Sequence, residues 1–477
     1  MGGFLISAKR QETVYKPKAS SSGPSHVRKI IVIGDPFYSS LAHLTRVIRL
    51  FELIKQTGIP DVETHLFAYE GEIVGHQIAI LVAAAVKSRI IDKIIPIHPL
   101  GDGSFFDLNK AKTLVSYIKG SKSVLLNELS QKGRYISEVA QMSDVVMVVH
   151  SPGYLGPWYA PPFVPVNVQN ILILDTVFHP KCDIHFGTTW KASSLNGRFQ
   201  GLLLKAGFYQ PFLRAVNEIR GEFGLSFCPT RDVLYKDHPI IDPNVPSYMR
   251  LSQAVDNYWQ VGPLLISRNS DSDEPGELID FKGDNKLVYL TLGGSAKSHL
   301  FIEFINDIVL RLVNFTGGKV KFVITTGLVV DPEDVYKRLG ENSTSCLVRN
   351  YYDAQVVTSV ADVAVGVMGH GHILSAVKNG CPVVVCPVNA DQVTHGNLVS
   401  RLNLGESPLR ISFSEMFTSD VLVKKILSST ELLAATVMRV LENSLRYGNP
   451  QLMCELNEYS EDMQLDAVRK LLIRSPG

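Results

Sequence analysis

Nowhere in the chain do about 18 apolar residues run without interruption, so no membrane-spanning helix is expected. An excess of one charge is also missing. Lys and Arg total 47 against 46 Asp and Glu, a net charge of +1, which argues against nucleic acid or an anionic membrane as an obligate partner. Cysteine is scarce. Six residues (Cys182, Cys228, Cys346, Cys381, Cys386, Cys454) lie scattered, several in apolar runs, as reduced and buried thiols do, and they form no disulfide framework. The opening MGGFLISAKRQETVYKPKASSSGPSHVRK has only a short apolar stretch before charge begins, unlike a signal peptide. Ile6 stands where a myristoylation pattern wants Ser or Thr. A soluble, cytoplasmic protein is expected.

What is present is alternation. Residues 1–28 read as a disordered tail rich in Ser, Lys and Gly. The strand HVRKIIVIG then leads into the helix LAHLTRVIRLFELIKQTG, with Leu44, Val47, Ile48, Phe51 and Ile54 at helical spacing and Gly58 as its stop. VETHLFAYE, HQIAILVAAAVKS, DKIIPIHP, SDVVMVV and VQNILILD continue the strand and helix pattern. Residues 29–262 make one doubly wound domain on this reading, and the polar, aperiodic 263–286 is the linker. Alternation resumes over 287–449, and the helical stretch from Pro450 to the end is expected to cross back onto the first domain.

In open parallel sheets ligands bind at the carboxyl ends of the strands. In the second half those ends read Gly293-Gly294-Ser295, Thr325-Thr326-Gly327, Tyr351-Tyr352, Gly369-His370-Gly371-His372 and Asn389-Ala390-Asp391-Gln392. Glycines before a helix admit an anion to backbone N–H groups. An aromatic can stack on a base, and an acid–amide pair can grip sugar hydroxyls. Any one of these loops is as readily an ordinary tight turn. The ordered set describes a nucleotide-sugar site. A cluster at His179, Cys182, Asp183 and His185 fits no standard zinc spacing and reads as a surface loop, so no metal is expected. SPGYLGPWYAPPFVP, rich in Pro and aromatics, could line an apolar acceptor pocket or simply pack as a rigid loop.

The segment ADVAVGVMGHGHILSAVKNGCPVVVCPVNADQVTHGNLVSRLNLG resembles the donor-binding signature of family-1 (UDP-glycosyltransferase-like) glycosyltransferases of the GT-B fold. Aligned on Gly380-Cys381-Pro382, the spacing to Asp391-Gln392 matches without a gap. VGPL before the linker and LVYLTLGGS after it are similar to the family's corresponding segments, and His43 falls where the family places its catalytic base. The resemblance implies two Rossmann-like domains facing across a cleft. It also implies transfer of a hexose from a uridine diphosphate sugar to a hydroxyl of a small or lipophilic acceptor, with inversion and without a metal or other cofactor. The departures are specific. The family's phosphate-binding His-Gly is Val367-Met368, its Thr/Ser is His372, its ribose-binding glutamate is Ser375, the Gly before its catalytic His is Ala42, and the Pro three after it is Arg46. Tyr351 or Tyr352 is the nearest substitute for its base-stacking aromatic.

On that resemblance His43 takes the acceptor's proton. The family's partner is an aspartate about a hundred residues on. Asp144 has roughly that spacing but opens its strand, about 20 Å from the far end at ~3.3 Å per residue. Asp175 and His150 end their strands on the correct rim, and of the two only Asp175 could act as a carboxylate. Gly294, Ser295 and Gly369–His372 would meet the diphosphate, with His370 as a charged donor, Thr326 and Tyr351 or Tyr352 would line the donor site, and Asp391 and Gln392 would hold the sugar. The rival expectation is a degenerate GT-B protein that binds a nucleotide or a protein partner without catalysis. A GT-B epimerase would want several carboxylates in the cleft, and the sequence shows no such set.

Overall fold

The β-branched runs read as buried strands do form strands, because Val and Ile fill both faces of a pleat covered on each side by helices. The structure is a computed structural model that describes residues 29–36, 41–69, 76–98, 122–151, 168–174, 194–206, 210–222, 239–249, 257–265, 274–291, 298–327, 330–412 and 419–474, with short pieces between 224 and 238 and at 415.

The first half contains β1 (Ile30–Pro36), α1 (Leu41–Gln56), β2 (Val62–Tyr69), α2 (His76–Lys87), β3 (Lys93–Ile97) and α3 (Lys122–Gln141). It continues through β4 (Val145–Ser151), β5 (Val168–Ile173), α4 (Leu195–Leu204), α5 (Gln210–Glu222), β6 (Ile240–Asp242) and β7 (Tyr258–Gln260). Its sheet has the order β3-β2-β1-β4-β5-β6-β7, with every neighbouring pair parallel.

The second half runs through α6 (Glu274–Lys282), β8 (Lys286–Thr291), α7 (Ser298–Thr316), β9 (Val320–Thr325), α8 (Pro332–Leu339), β10 (Cys346–Arg349) and α9 (Ala354–Val360). Then come β11 (Val363–Gly366), α10 (His370–Lys378), β12 (Val383–Val385), α11 (Ala390–Arg401), β13 (Gly405–Glu406), α12 (Ser419–Leu427) and α13 (Thr430–Glu442). The second sheet is also parallel, in the order β10-β9-β8-β11-β12-β13. The chain closes with α14 (Pro450–Glu458) and α15 (Glu461–Arg474).

Leu44, Val47, Ile48, Phe51 and Ile54, the helical stripe read from sequence, all lie in the core between α1 and the first sheet. Gly34 of β1 lets that helix lie close, since a Cβ there would run into Val47 and Phe51. In the second half α9, α10, α11 and α14 cover one face of the sheet, and α7, α8 and α13 cover the other. The segment expected as an aperiodic linker holds α6, whose Leu278 is buried with Phe281 packed beside it, an i, i+3 pair the polar flanks concealed.

The return from Pro450 is made in two steps. Leu452 and Leu456 of α14 stay in the second core, whereas Val468, Leu471 and Leu472 of α15 pack into the first. Arg49 of α1 donates to Glu461 at 2.8 Å, and Arg469 donates to the carbonyl of Thr57 at 3.1 Å. Among the described cysteines all are free. Four are buried and Cys454 is exposed, while Cys182 lies outside the described residues. No described helix is long and apolar enough to cross a membrane.

Each sheet changes winding direction beside one strand, β1 in the first and β8 in the second, and a crevice opens there at the carboxyl ends. At the first crevice Asp35 pairs in register with His150 and Pro36 with Ser151; at the second Thr291 pairs with Gly366.

Candidate functional site

The first rim is built by α1 and the end of β4. His43 lies in the first turn of α1 and is half-buried, with Nδ1 3.2 Å from Oγ of Ser151. A hydroxyl oxygen can accept from Nδ1–H, and that tautomer leaves the Nε2 lone pair to take a proton. Successive side chains of a strand point to opposite faces, so His150 turns away from its neighbour Ser151. Its Nδ1 lies 3.0 Å from Asp35 Oδ2 and its Nε2 2.9 Å from Asn170 Oδ1. Asp35 also accepts from Lys132 at 2.7 Å, and Lys132 donates to Glu128 at 2.5 Å. Burial alone would raise Asp35, but Lys132 and His150 outweigh it and hold the carboxyl far below the usual range. Lys132 is the mirror case: burial would lower it, and Asp35 and Glu128 raise it instead. His150 thus belongs to a buried ionic network under the rim. Asp175 lies outside the described residues. Asp144 accepts from the backbone N–H of Lys29 at 2.8 Å, at the amino end of β1 and opposite the rim.

The second rim is the start of α10. Gly369 is its N-cap and carries no side-chain cap, and a Cβ there would meet nothing within 4 Å. Val367 and Met368, just before the N-cap of α10, are buried in the two opposing cores. His370, Gly371 and His372 form the first turn of the helix. Burial lowers the pKa of His372. His370 is buried, and its Nε2 donates to Oδ1 of Asn244. Its Nδ1 lies 3.2 Å from Nη2 of Arg46, the residue one turn along from His43 on α1. A guanidinium can only donate, so His370 accepts on Nδ1 and is neutral in this arrangement. The positive charge expected of His370 is carried at this point by Arg46. Asn244 in turn donates to Asp242 at 2.7 Å through its side chain. Burial pushes the Asp242 carboxyl up to about 6 against the hydrogen bonds of Tyr258 and Asn244 and the charge of Arg46.

The third element is α11. Asn389 caps it by accepting from the N–H of Gln392 at 3.0 Å. Gln392 is buried and accepts from the N–H of Val388 at 2.8 Å, so its carbonyl braces the β12–α11 loop. Asp391 is more exposed, at 40 %, and faces Nε2 of buried His395 at 3.4 Å. The remaining sequence-derived residues divide. Thr326 is buried and donates to Oδ1 of Asn350 at 3.0 Å. Tyr352 is a core residue under the guanidinium of Arg349, whereas Tyr351 is half-buried. Gly294 and Ser295 lie outside the described residues.

The geometry brings Arg46, one turn along α1 from His43, to His370 of the other half, and sets Ser151 against His43. Sequence reading did not single out Ser151, Asn244, Tyr248 or His395, and it met Arg46 only as a missing proline. Ser151 follows a strand-end histidine and His395 stands four residues after Asp391. Those spacings were the available signals.

No protein-family model matches the sequence, and no curated protein matches it either. Solved structures do. The glycotransferase of kitacinnamycin is 18 % identical, with a TM-score of 0.59, over 94 % of this chain and 99 % of that one. CalG4, the calicheamicin glycosyltransferase, is 16 % identical, with a TM-score of 0.59, over 94 % and 98 %. UGT89C1 of Arabidopsis thaliana, solved with UDP, is 14 % identical, with a TM-score of 0.54, over 94 % and 99 %. The likeness runs along nearly the whole of both chains and shows the GT-B fold.

Proposed function

We propose that this chain is a glycosyltransferase that moves a hexose from a nucleotide diphosphate sugar, a uridine diphosphate sugar in the first instance, to a hydroxyl of a small or lipophilic acceptor. The observation that carries the reading is the Arg46–His370 hydrogen bond. It ties the helix bearing His43 to the glycine-flanked start of α10, so a candidate base and a candidate anion cradle face one crevice.

In the reaction His43 Nε2 takes the acceptor's hydroxyl proton as its oxygen attacks the anomeric carbon. The new C–O bond forms as the bond to the diphosphate breaks, and that electron pair leaves with the nucleotide. Attack from the far side inverts the anomeric centre. Ser151 holds the base in its reactive tautomer, a role for which a carboxylate would be stronger, since charge-assisted hydrogen bonds are about twice as strong as neutral ones. The N–H groups of the first α10 turn and the charge of Arg46 meet the diphosphate. Asp391 and Gln392 hold the sugar, and no metal takes part.

Burial of Val367 and Met368 and the neutral His370 support a second reading, a GT-B protein that binds a nucleotide or partner without transfer. Calorimetric titration with uridine, thymidine, guanosine and adenosine diphosphate sugars separates the two. Donor binding that survives His43→Ala but weakens in Asp391→Ala supports the transferase, and turnover with an acceptor panel completes the case. Failure of every donor to bind gives the second reading the lead.

A further inference from the structure

Asp391 does not stand alone at its rim. His395, four residues on and one helical turn along α11, is only 2 % exposed and places Nε2 3.4 Å from Asp391 Oδ1. On its other side His395 Nδ1 lies 2.8 Å from the hydroxyl of Tyr248. The two rings stack, with centroids 5.9 Å apart and planes 16° from parallel. Tyr248 comes from the connection between β6 and β7 of the first sheet, yet it is fully buried in the core of the second half. The His370 ring packs against both, 5.8 Å from Tyr248 and 5.5 Å from His395.

The chemistry of these three groups selects one arrangement. A carboxylate only accepts, so His395 presents N–H from Nε2 to Asp391. Neutral imidazole then accepts on Nδ1, and Tyr248 supplies the hydrogen. The opposite tautomer would set a lone pair against the carboxylate. A doubly protonated ring would require the phenolic hydrogen to find another buried acceptor.

We infer that His395 and Tyr248 are positioning residues that fix one oxygen of Asp391 and leave the other to select among sugar hydroxyls. The inference rests on the reading of Asp391 as a sugar-binding residue. It assigns donor selectivity to a chain of contacts that begins in the first half and ends at the rim of the second. A carboxylate held by one oxygen has a defined direction for the other, so it distinguishes epimers whose hydroxyls differ in orientation. A freely turning carboxylate would accept either.

The test uses the full chain and two epimeric uridine diphosphate sugars, glucose and galactose, titrated against wild type, Asp391→Asn, His395→Phe, His395→Gln and Tyr248→Phe. His395→Phe and Tyr248→Phe should lose about fivefold in affinity for the preferred epimer, the worth of one ordinary polar contact. They should also bring the affinity ratio of the epimers towards one. His395→Gln, which keeps an N–H within reach, should recover most of the ratio. A merely structural loss would lower the bound fraction for both epimers alike and leave the ratio intact, and that result would overturn the inference. Weakening in Asp391→Asn with no change of ratio in the His395 and Tyr248 variants also overturns it, while sparing the reading of Asp391. No effect in Asp391→Asn sinks that reading itself. Nitrogen-15 spectra of the wild-type imidazole provide an independent readout: the Nε2–H form is expected, and an Nδ1–H form refutes the arrangement even if no donor binds.

Discussion

Arg46 on α1 and His370 on α10 are separated by 324 residues in sequence and by 3.2 Å in space. Both are buried, at 8 % exposure each. Their hydrogen bond joins the two halves of the molecule at the site. Arg46→Leu should therefore leave His370 Nδ1 buried without that donor and destabilise the protein by about 1–3 kcal/mol. Chemical denaturation would measure the loss. An unchanged midpoint would mean that the contact contributes nothing, and the site would need another tie between the halves.

His43 and Ser151 should differ in consequence. Removal of a general base costs about 10²–10⁴-fold in turnover, so His43→Ala should lose that much with little change in donor affinity. Ser151→Ala removes one neutral hydrogen bond of about 1 kcal/mol and should lose about fivefold in kcat. Steady-state kinetics with the donor saturating would read both. Equal losses would mean that Ser151 does more than orient the ring.

Asp242 predicts a sign for the dependence of stability on pH. Burial raises its carboxyl to about 6, whereas in the unfolded chain it titrates near 3.9. Between roughly pH 4 and 6 the native state binds the proton more tightly than the unfolded state, so stability falls as pH rises through that window. The shift corresponds to about 3 kcal/mol. Asp242→Asn cannot ionise and should lose this slope, which denaturant midpoints at about pH 4 and pH 7 would show. Wild type and variant with identical slopes would refute the assignment.

Lys132 neutralises two carboxylates, half-buried Asp35 and buried Glu128. Lys132→Met should cost about 3–5 kcal/mol, because an uncompensated charge stays behind. Lys132→Met with Glu128→Leu should recover part of it. The depressed Asp35 carboxyl works in the opposite sense to Asp242: its contribution is present above about pH 4 and is lost as pH falls below that value. Thermal melts across acidic pH would show that acid sensitivity shrinking in Lys132→Met.

Local pattern made most of the framework legible. Strands such as IIVIG and SDVVMVV are continuous β-branched runs, and the stripe from Leu44 to Ile54 repeats at helical spacing, so element type followed from residues close in sequence. The order of glycine, hydroxyl and acid–amide groups along the second half likewise put the candidate donor loops at strand ends, where parallel winding gathers them. Helix α6 escaped notice because its apolar pair, Leu278 and Phe281, is too short a signal among polar neighbours.

The sequence by itself determined the alternation of strands and helices, the two halves, and the strand ends near which Asp391, Gln392 and His43 stand. Tertiary structure decided their partners. His43 meets Ser151 because strand alternation turns His150 inward, and His370 meets Arg46 because separate sheets converge. Tyr248 reaches His395 across the boundary between the halves. A hydrogen bond between residues 100 or more positions apart leaves no period in the chain. It exists only once packing of apolar faces has brought the two ends together.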